Sequence, residues 1–139
     1  MRRMRLPAKI ESLEPFRAFV MAHMEAMAGM EGISPRVDLA LEEILVNVIG
    51  YAYEDEGFIE VECSSGDPDR FLIIVKDWGV AFNPLDREAP DLSGNIATKK
   101  VGGLGIHLVR HMVSELKYER KDGVNVLTLV FENEACKSK

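Results

Sequence analysis

The sequence predicts an α+β fold, a two-layer sandwich in which three helices cover one face of a sheet. Two observations predict it. Helical patterns of apolar residues occur near the start, in the middle and in the third quarter of the chain, and the strand-like segments mostly follow one another directly. The 139 residues show neither internal repeats nor a linker, so residues 1–139 are expected to form one domain.

The first two helices are predicted by their start signals and apolar stripes. Residues 12–30 have Ser12 at a capping position, followed by apolar residues at helical spacing. The second helix has Ser34 as its cap and Pro35 at its first helical position. Leu39 lies on its far side, so we expect this helix to be buried nearly all round. Its main apolar face carries Val37, Leu41, Ile44, Leu45, Val48 and Ala52.

Strand signals account for much of the remaining chain. A short strand is expected near residues 3–6, and residues 58–63 alternate between apolar and polar as a half-buried strand does. Residues 71–77 form a continuous apolar run that is typical of a central strand. Residues 116–132 predict a β-hairpin with Asp122-Gly123 at its turn. A frayed tail is expected after it.

Composition excludes several classes of protein. The formal net charge of −6 argues against nucleic-acid binding, which needs a basic face. No apolar run approaches the length of a membrane span, and the basic start lacks the apolar core of a signal peptide, so we expect a cytoplasmic protein without membrane contact. Cys63 and Cys136 match no metal spacing and are interpreted as reduced thiols.

A carboxylate and an amide on the second helix form the first candidate site. Glu43 and Asn47 are four residues apart and about 40° from each other on the flank of the apolar face, whereas Glu42 is about 140° from Asn47. Polar groups in a buried helix are costly unless they are paired or hydrated. The pair therefore either meets caps or water at the helix edge, or serves a function.

The end of the central strand is the second candidate. Asp77 closes the most hydrophobic strand of the chain, and Gly79 follows in a loop. A carboxylate at this position can cap a turn. It can also accept a hydrogen bond from a ligand amine while Gly79 lets a flat ring lie against the backbone. The residues alone leave both interpretations open.

Three glycines in the segment VGGLG, residues 101–105, lead into a third helix predicted at 105–115. The segment has neither the Lys-Ser/Thr of a P-loop nor the G-x-G-x-x-G spacing after a strand. A capping turn needs one glycine, whereas open amides at a helix start suit a phosphate, and this favours a functional interpretation. His107 and His111 lie one turn apart, but nothing completes a metal site around them.

Taken in order, EEILVN, DWGVAF and GGLGIHLV resemble the N box and the two glycine boxes of the Bergerat ATP-binding fold, which gyrase, the large heat-shock chaperones, histidine kinases and mismatch-repair ATPases share. The resemblance covers about residues 30–131. The short length and the wording DWGVAFNPL, GGLGIHLV and DGVNVLTL are most similar to the anti-sigma-factor serine/threonine kinases of bacteria. This resemblance implies a mixed, mostly antiparallel sheet.

The resemblance also implies ligands and roles. Asn47 would hold Mg²⁺, which would bridge the phosphates of ATP, and Glu43 would be the general base that takes a proton from a serine hydroxyl. Asp77 would accept the adenine amino group above Gly79. Residues 86–101 would be the ATP lid and 133–139 the frayed tail. The implied nucleotide-binding set is Asn47, Asp77, Gly79, Ala81, Gly102, Gly103, Leu104, Gly105 and Ile106.

The implied partners are a sigma factor, a small STAS-type antagonist that receives the phosphate, and a second copy of the chain. Three residues depart from the family pattern: Ala81 replaces a glycine, Tyr51 stands where a basic residue is common, and Val124 replaces a threonine, so an adenine-side hydrogen bond is expected to be lost. Two alternatives remain: a nucleotide-dependent protein-binding switch without kinase activity, and the stand-alone catalytic domain of a split histidine kinase.

Overall fold

A five-stranded sheet with helices on one face forms the protein, as the sequence predicts. The computed structural model describes residues 2–26, 34–51, 56–64, 70–81 and 109–132, to which every structural statement refers. The elements in chain order are β1 (Arg2–Pro7), a 3₁₀ turn (Ile10–Ser12), α1 (Leu13–Glu25), α2 (Ser34–Tyr51), β2 (Phe58–Ser64), β3 (Arg70–Asp77), β4 (Glu115–Lys121) and β5 (Val124–Glu132).

The strands lie in the order β1-β2-β3-β5-β4, and each neighbouring pair is antiparallel. The described part of the sheet is therefore antiparallel throughout rather than mixed. The apolar run of β3 occupies the middle of the sheet, as expected. Its residues alternate in burial, and the buried set on the face toward the helices is Phe71, Ile73, Val75 and Asp77.

The core lies between this sheet face and the helices. The apolar face predicted for α2 is buried wherever the structure describes it, from Val37 to Val48. Leu39, by contrast, is 40% exposed, so the expectation that α2 is buried nearly all round is wrong. The reason is the two-layer architecture, because a helix that covers a sheet keeps its opposite side in solvent. The buried residues that α1 contributes are Phe16, Val20 and Met24.

The start and end of α1 differ from the prediction. The helix ends at Glu25 rather than at residue 30, and the N–H of Ala26 bonds the carbonyl of Met24 in a tight turn. Ser12 precedes the helix but makes no side-chain cap. Its hydroxyl instead donates to the carbonyl of Pro7 at 2.7 Å, and its N–H bonds the carbonyl of Lys9 in the preceding 3₁₀ turn.

The β4–β5 hairpin has the predicted turn, with positive φ at Asp122 (52°) and Gly123 (79°), the combination that a type I′ hairpin turn requires. Before it, residues 109–112 form a helical turn. The third helix thus ends three residues earlier than predicted, because the N–H of Ser114 already bonds the carbonyl of Val130 in the sheet. None of the described helices is long and apolar enough to cross a membrane.

Candidate functional site

Asn47 lies on the buried flank of α2 and is only 2% exposed. Its Nδ2 donates to the main-chain carbonyl of Glu43 at 2.8 Å, one helical turn earlier. This bond holds the amide plane against its own helix. Because Nδ2 is used on the backbone, Oδ1 is the atom of this side chain that is suited to be a ligand oxygen.

Glu43 lies one turn before Asn47, as its spacing predicts, and is half-buried. Burial raises the pKa of its carboxyl group, and the neighbouring charge of Glu42 raises it further. A raised pKa makes a carboxylate a stronger proton acceptor, which is what a general base requires. The helix-edge interpretation explains the Nδ2 bond of Asn47. It does not explain why a carboxylate is kept in a partly desolvated place.

Asp77 ends β3 on the face toward the helices and is 5% exposed. Its Oδ1 accepts hydrogen bonds from the N–H of Gly79 and from Nδ2 of Asn125, both at 2.9 Å. Burial raises the pKa of its carboxyl group, whereas these two bonds and the positive charge of Arg120 lower it. The turn-capping interpretation of Asp77 is therefore correct, and it occupies one carboxylate oxygen.

Asn125 was not among the residues that sequence reasoning selected. It lies directly opposite Asp77 in the β3–β5 register and is 4% exposed. The family pattern marks Val124, where a threonine is common, but the polar residue that contacts Asp77 is Asn125, one position later. The alternation of apolar residues in the predicted hairpin strand carried the signal: Leu127, Leu129 and Phe131 share their sheet face with Asn125.

The remaining predicted residues are placed only in part. Gly79 is half-buried in the turn after β3, and Ala81 is exposed at the end of the described segment. Residues 86–101 of the expected lid, and with them Gly102, Gly103, Leu104, Gly105 and Ile106, lie outside the described residues. The structure thus brings Glu43 to Asn47, and Gly79 to Asp77.

The described donor set fits a magnesium ion that is shared with a nucleotide. Within the described ranges no cluster of three or more His, Cys, Asp or Glu side chains could hold a metal ion. Mg²⁺ is commonly bound through one or two protein oxygens together with phosphates and water. The held amide of Asn47 provides one such oxygen. The carboxylate of Asp77 is a buried hydrogen-bond acceptor.

An antiparallel sheet covered by helices, with an amide on one helix and a buried carboxylate at the end of the central strand, is the arrangement of an ATP-binding domain related to histidine kinases. The comparison with known families agrees. The chain belongs to the histidine kinase-like ATPase domain family, whose model matches residues 6–131.

Serine kinases are among its relatives. The serine/threonine-protein kinase BtrW of Bordetella bronchiseptica is 29% identical over 92 residues, which are 66% of this chain and 65% of BtrW. The serine-protein kinase RsbW of Bacillus velezensis is 32% identical over 101 residues, which are 68% of this chain and 62% of that protein. The chain therefore spans just under two thirds of each relative.

A solved structure shows the same fold. The structure of the RsbU and RsbW domains of Rv1364c from Mycobacterium tuberculosis superimposes with a TM-score of 0.56. The alignment covers 95% of this chain and 32% of that one, at 14% sequence identity. At this identity the likeness concerns the fold alone.

Proposed function

We propose that this chain is a Mg-ATP-binding anti-sigma regulatory factor with serine/threonine kinase activity. Its substrate would be a small STAS-type antagonist protein, and its regulatory partner a sigma factor that it sequesters in the bacterial cytoplasm. The names of the relatives, which are serine and serine/threonine kinases, support this class of activity. As in the implied family, the active form would be a homodimer.

The observation that carries the proposal is the pairing of Glu43 with Asn47 on α2. The Oδ1 of Asn47 would be the protein ligand of Mg²⁺, which when bound offsets the negative charge of the phosphates. Glu43 would accept the proton of the attacking serine hydroxyl. The serine oxygen forms a bond to the γ-phosphorus, the bond from that phosphorus to the bridging oxygen breaks, and ADP leaves.

The other end of the nucleotide would lie at the end of β3. Asp77 would accept a hydrogen bond from the amino group of adenine, with Gly79 beneath the ring. Gly102, Gly103 and Gly105 of the glycine segment would give amides to the phosphates. This part of the proposal rests on the resemblance of the motifs to those of the family.

Two measurements test the proposal in sequence. Calorimetric titration of the wild-type chain with Mg-ATP should show binding, and Asn47→Ala and Asp77→Asn should each weaken it while the apo proteins keep their melting transitions. Gly103→Ala combined with Gly105→Ala should weaken it as well. A wild-type chain that binds no nucleotide would overturn the proposal.

Phosphotransfer is the second measurement. The chain is incubated with γ-labelled ATP and candidate STAS-type antagonists, and label is expected on an antagonist serine or threonine. ATP binding and partner capture without any transfer would replace the kinase by a nucleotide-dependent binding switch. Light scattering at micromolar concentration tests the dimer, and a monomer would contradict it.

A further inference from the structure

The end of β3 is held in place by three side chains of the β4–β5 hairpin. This hairpin clamp consists of Tyr118, Arg120 and Asn125. The Oδ1 of Asn125 accepts hydrogen bonds from the hydroxyl of Tyr118 and, at 3.2 Å, from Nη1 of Arg120. With its oxygen engaged in this way, the Asn125 amide cannot rotate without losing both bonds.

The donor side of the clamp is directed at Asp77 and the turn that follows it. Nδ2 of Asn125 donates to Oδ1 of Asp77 at 2.9 Å and to the carbonyl of Val80 at 2.8 Å. Nη1 of Arg120 also donates to the carbonyl of Gly79 at 2.8 Å. Carboxylate and turn are therefore fixed by the same hairpin. Within the described part of the chain, both hydrogen bonds to Asp77 end on Oδ1.

The chemistry of purines makes the position of this carboxylate decisive. At the six-position adenine presents an amino group, which donates a hydrogen bond, whereas guanine presents a carbonyl oxygen, which accepts one. A fixed carboxylate accepts from the first and repels the second. A carboxylate that is able to swing can instead reach the N–H groups of guanine. Rejection of guanine thus requires that Asp77 does not move.

We propose that Asn125, held by Tyr118 and Arg120, is the positioning residue that sets the preference of this site for adenine over guanine. It acts through Asp77 and does not itself need to touch the base. The inference rests on the proposed nucleotide function and adds to it the residue that determines base specificity. The family motif does not indicate Asn125, because the motif has its polar residue, a threonine, at the position of Val124.

The electrostatics of the site support the same role. Burial raises the pKa of Asp77, and the hydrogen bond from Asn125 is the largest influence that opposes it. The titratable and charged groups of β4 near Asp77 are Tyr118 and Arg120. Among the described residues, Arg120 is the charged group that lowers the pKa of Asp77. On β2 the residue opposite is the apolar Ile59. Asn125 therefore helps to keep Asp77 an acceptor.

Four proteins test the inference: the wild type, Asn125→Ala, Asn125→Thr and Val124→Ala. The last is the matched control, since it shortens the adjacent side chain on the other face of β5. The dissociation constants of Mg-ATP and Mg-GTP are measured by calorimetry. We expect the wild type and Val124→Ala to prefer ATP by about 100-fold or more. In Asn125→Ala this ratio should fall at least about tenfold, and Asn125→Thr, which keeps one donor, should restore part of it.

A pH series separates positioning from a general loss of structure. In Asn125→Ala the affinity for ATP should be lost at a higher pH on acidification than in the wild type, because the donor that lowers the pKa of Asp77 is gone. If Asn125→Ala does not fold, Tyr118→Phe and Asn125→Thr are compared instead, and a lower ATP-to-GTP ratio than in Val124→Ala is again expected.

The outcomes are distinguishable. A wild-type chain that binds no ATP removes the proposed function and this inference with it. A wild-type chain that binds ATP and GTP equally leaves the nucleotide site standing but overturns the inference. An unchanged ratio in every clamp variant that folds overturns the inference in the same way.

Discussion

The substitution Glu43→Gln tests the proposed role of Glu43 as the general base. Glutamine has nearly the shape of glutamate but cannot accept a proton at neutral pH. The carboxylate of Glu43 makes no side-chain hydrogen bond to the described residues, and the bond that holds Asn47 ends on the main-chain carbonyl of Glu43, which the substitution leaves in place. Nucleotide binding should therefore persist while proton transfer is lost.

The magnitude follows from the role. A positioned general base contributes about 10²–10⁴-fold, which corresponds to about 3–5 kcal/mol of activation free energy. The matched control is Glu42→Gln, which removes the same charge from the exposed neighbouring position. Glu42 raises the pKa of Glu43, so its removal should move the acidic limb of the activity profile to lower pH and leave the plateau rate within about threefold.

Stability gives an independent check on the environment of Glu43. Its pKa is raised in the folded protein, so the stability associated with this group is present below its unfolded pKa and is lost as pH rises through its folded pKa. Glu43→Gln should consequently become more stable relative to the wild type as pH rises across that range. Thermal melts from acidic to neutral pH measure this trend.

The assay is single-turnover transfer of γ-labelled phosphate to the antagonist at saturating Mg-ATP, run for both variants from acidic to neutral pH. Glu43→Gln that keeps more than about a tenth of the wild-type rate would refute the role of general base, since even the weakest such base contributes more. Equal losses in Glu42→Gln and Glu43→Gln would also refute it, because a common effect of charge would then suffice.

Three further outcomes are expected. Phe71→Ala should lower the free energy of unfolding by about 3–5 kcal/mol in urea denaturation, because Phe71 is almost wholly buried, and a near-neutral change would contradict the assigned core. In a Cys136→Ser background, Cys63 should resist Ellman's reagent until denaturant is added, since burial raises the pKa of its thiol to about 12; rapid native labelling would contradict this. Arg17 pairs with both carboxylate oxygens of Asp38 and lowers the pKa of that group. Arg17→Met should therefore lower the melting temperature at neutral pH and progressively less as pH falls through that pKa; a loss independent of pH would contradict it.

Most of the strands could be predicted because their signals are local. The alternation of residues 58–63 correctly predicts a strand, and the apolar run of residues 71–77 correctly predicts the central one. The expectation that β2 is half-buried is wrong, because Glu60 and Glu62 are buried too, where they pair with Arg5 and Lys76. The turn at Asp122-Gly123 follows from which residues tolerate positive φ. The spacing of Glu43 and Asn47 is equally local, since residues four apart share a helix face.

Other features depend on contacts that no local pattern contains. The hydroxyl of Ser12 bonds the end of β1 rather than the helix, and Leu39 faces solvent, because the placement of the sheet decides which groups are covered. The pairing of Asn125 with Asp77, which are 48 residues apart in sequence, requires the register of strands β3 and β5. A motif that is read along the chain does not contain that register.

The two ends of the proposed site differ in whether local sequence or strand register places their residues, and this determines how each end can vary. Glu43 and Asn47 lie within five residues of α2, so one helix carries both the proposed general base and the proposed ligand oxygen. Neither residue can move along the helix without breaking their spacing. The end of the site that would recognise the adenine ring is assembled from β3 and the β4–β5 hairpin. The polar neighbour of Asp77 there is Asn125, one residue after the position that the family pattern marks. Any polar residue of the hairpin that faces the core beside Asp77 can hold its carboxylate. The hydroxyl of the family threonine can therefore be replaced by the amide of Asn125 without any change to the motif on α2. Variation in base preference should accordingly arise at the hairpin, and variation in phosphotransfer on α2.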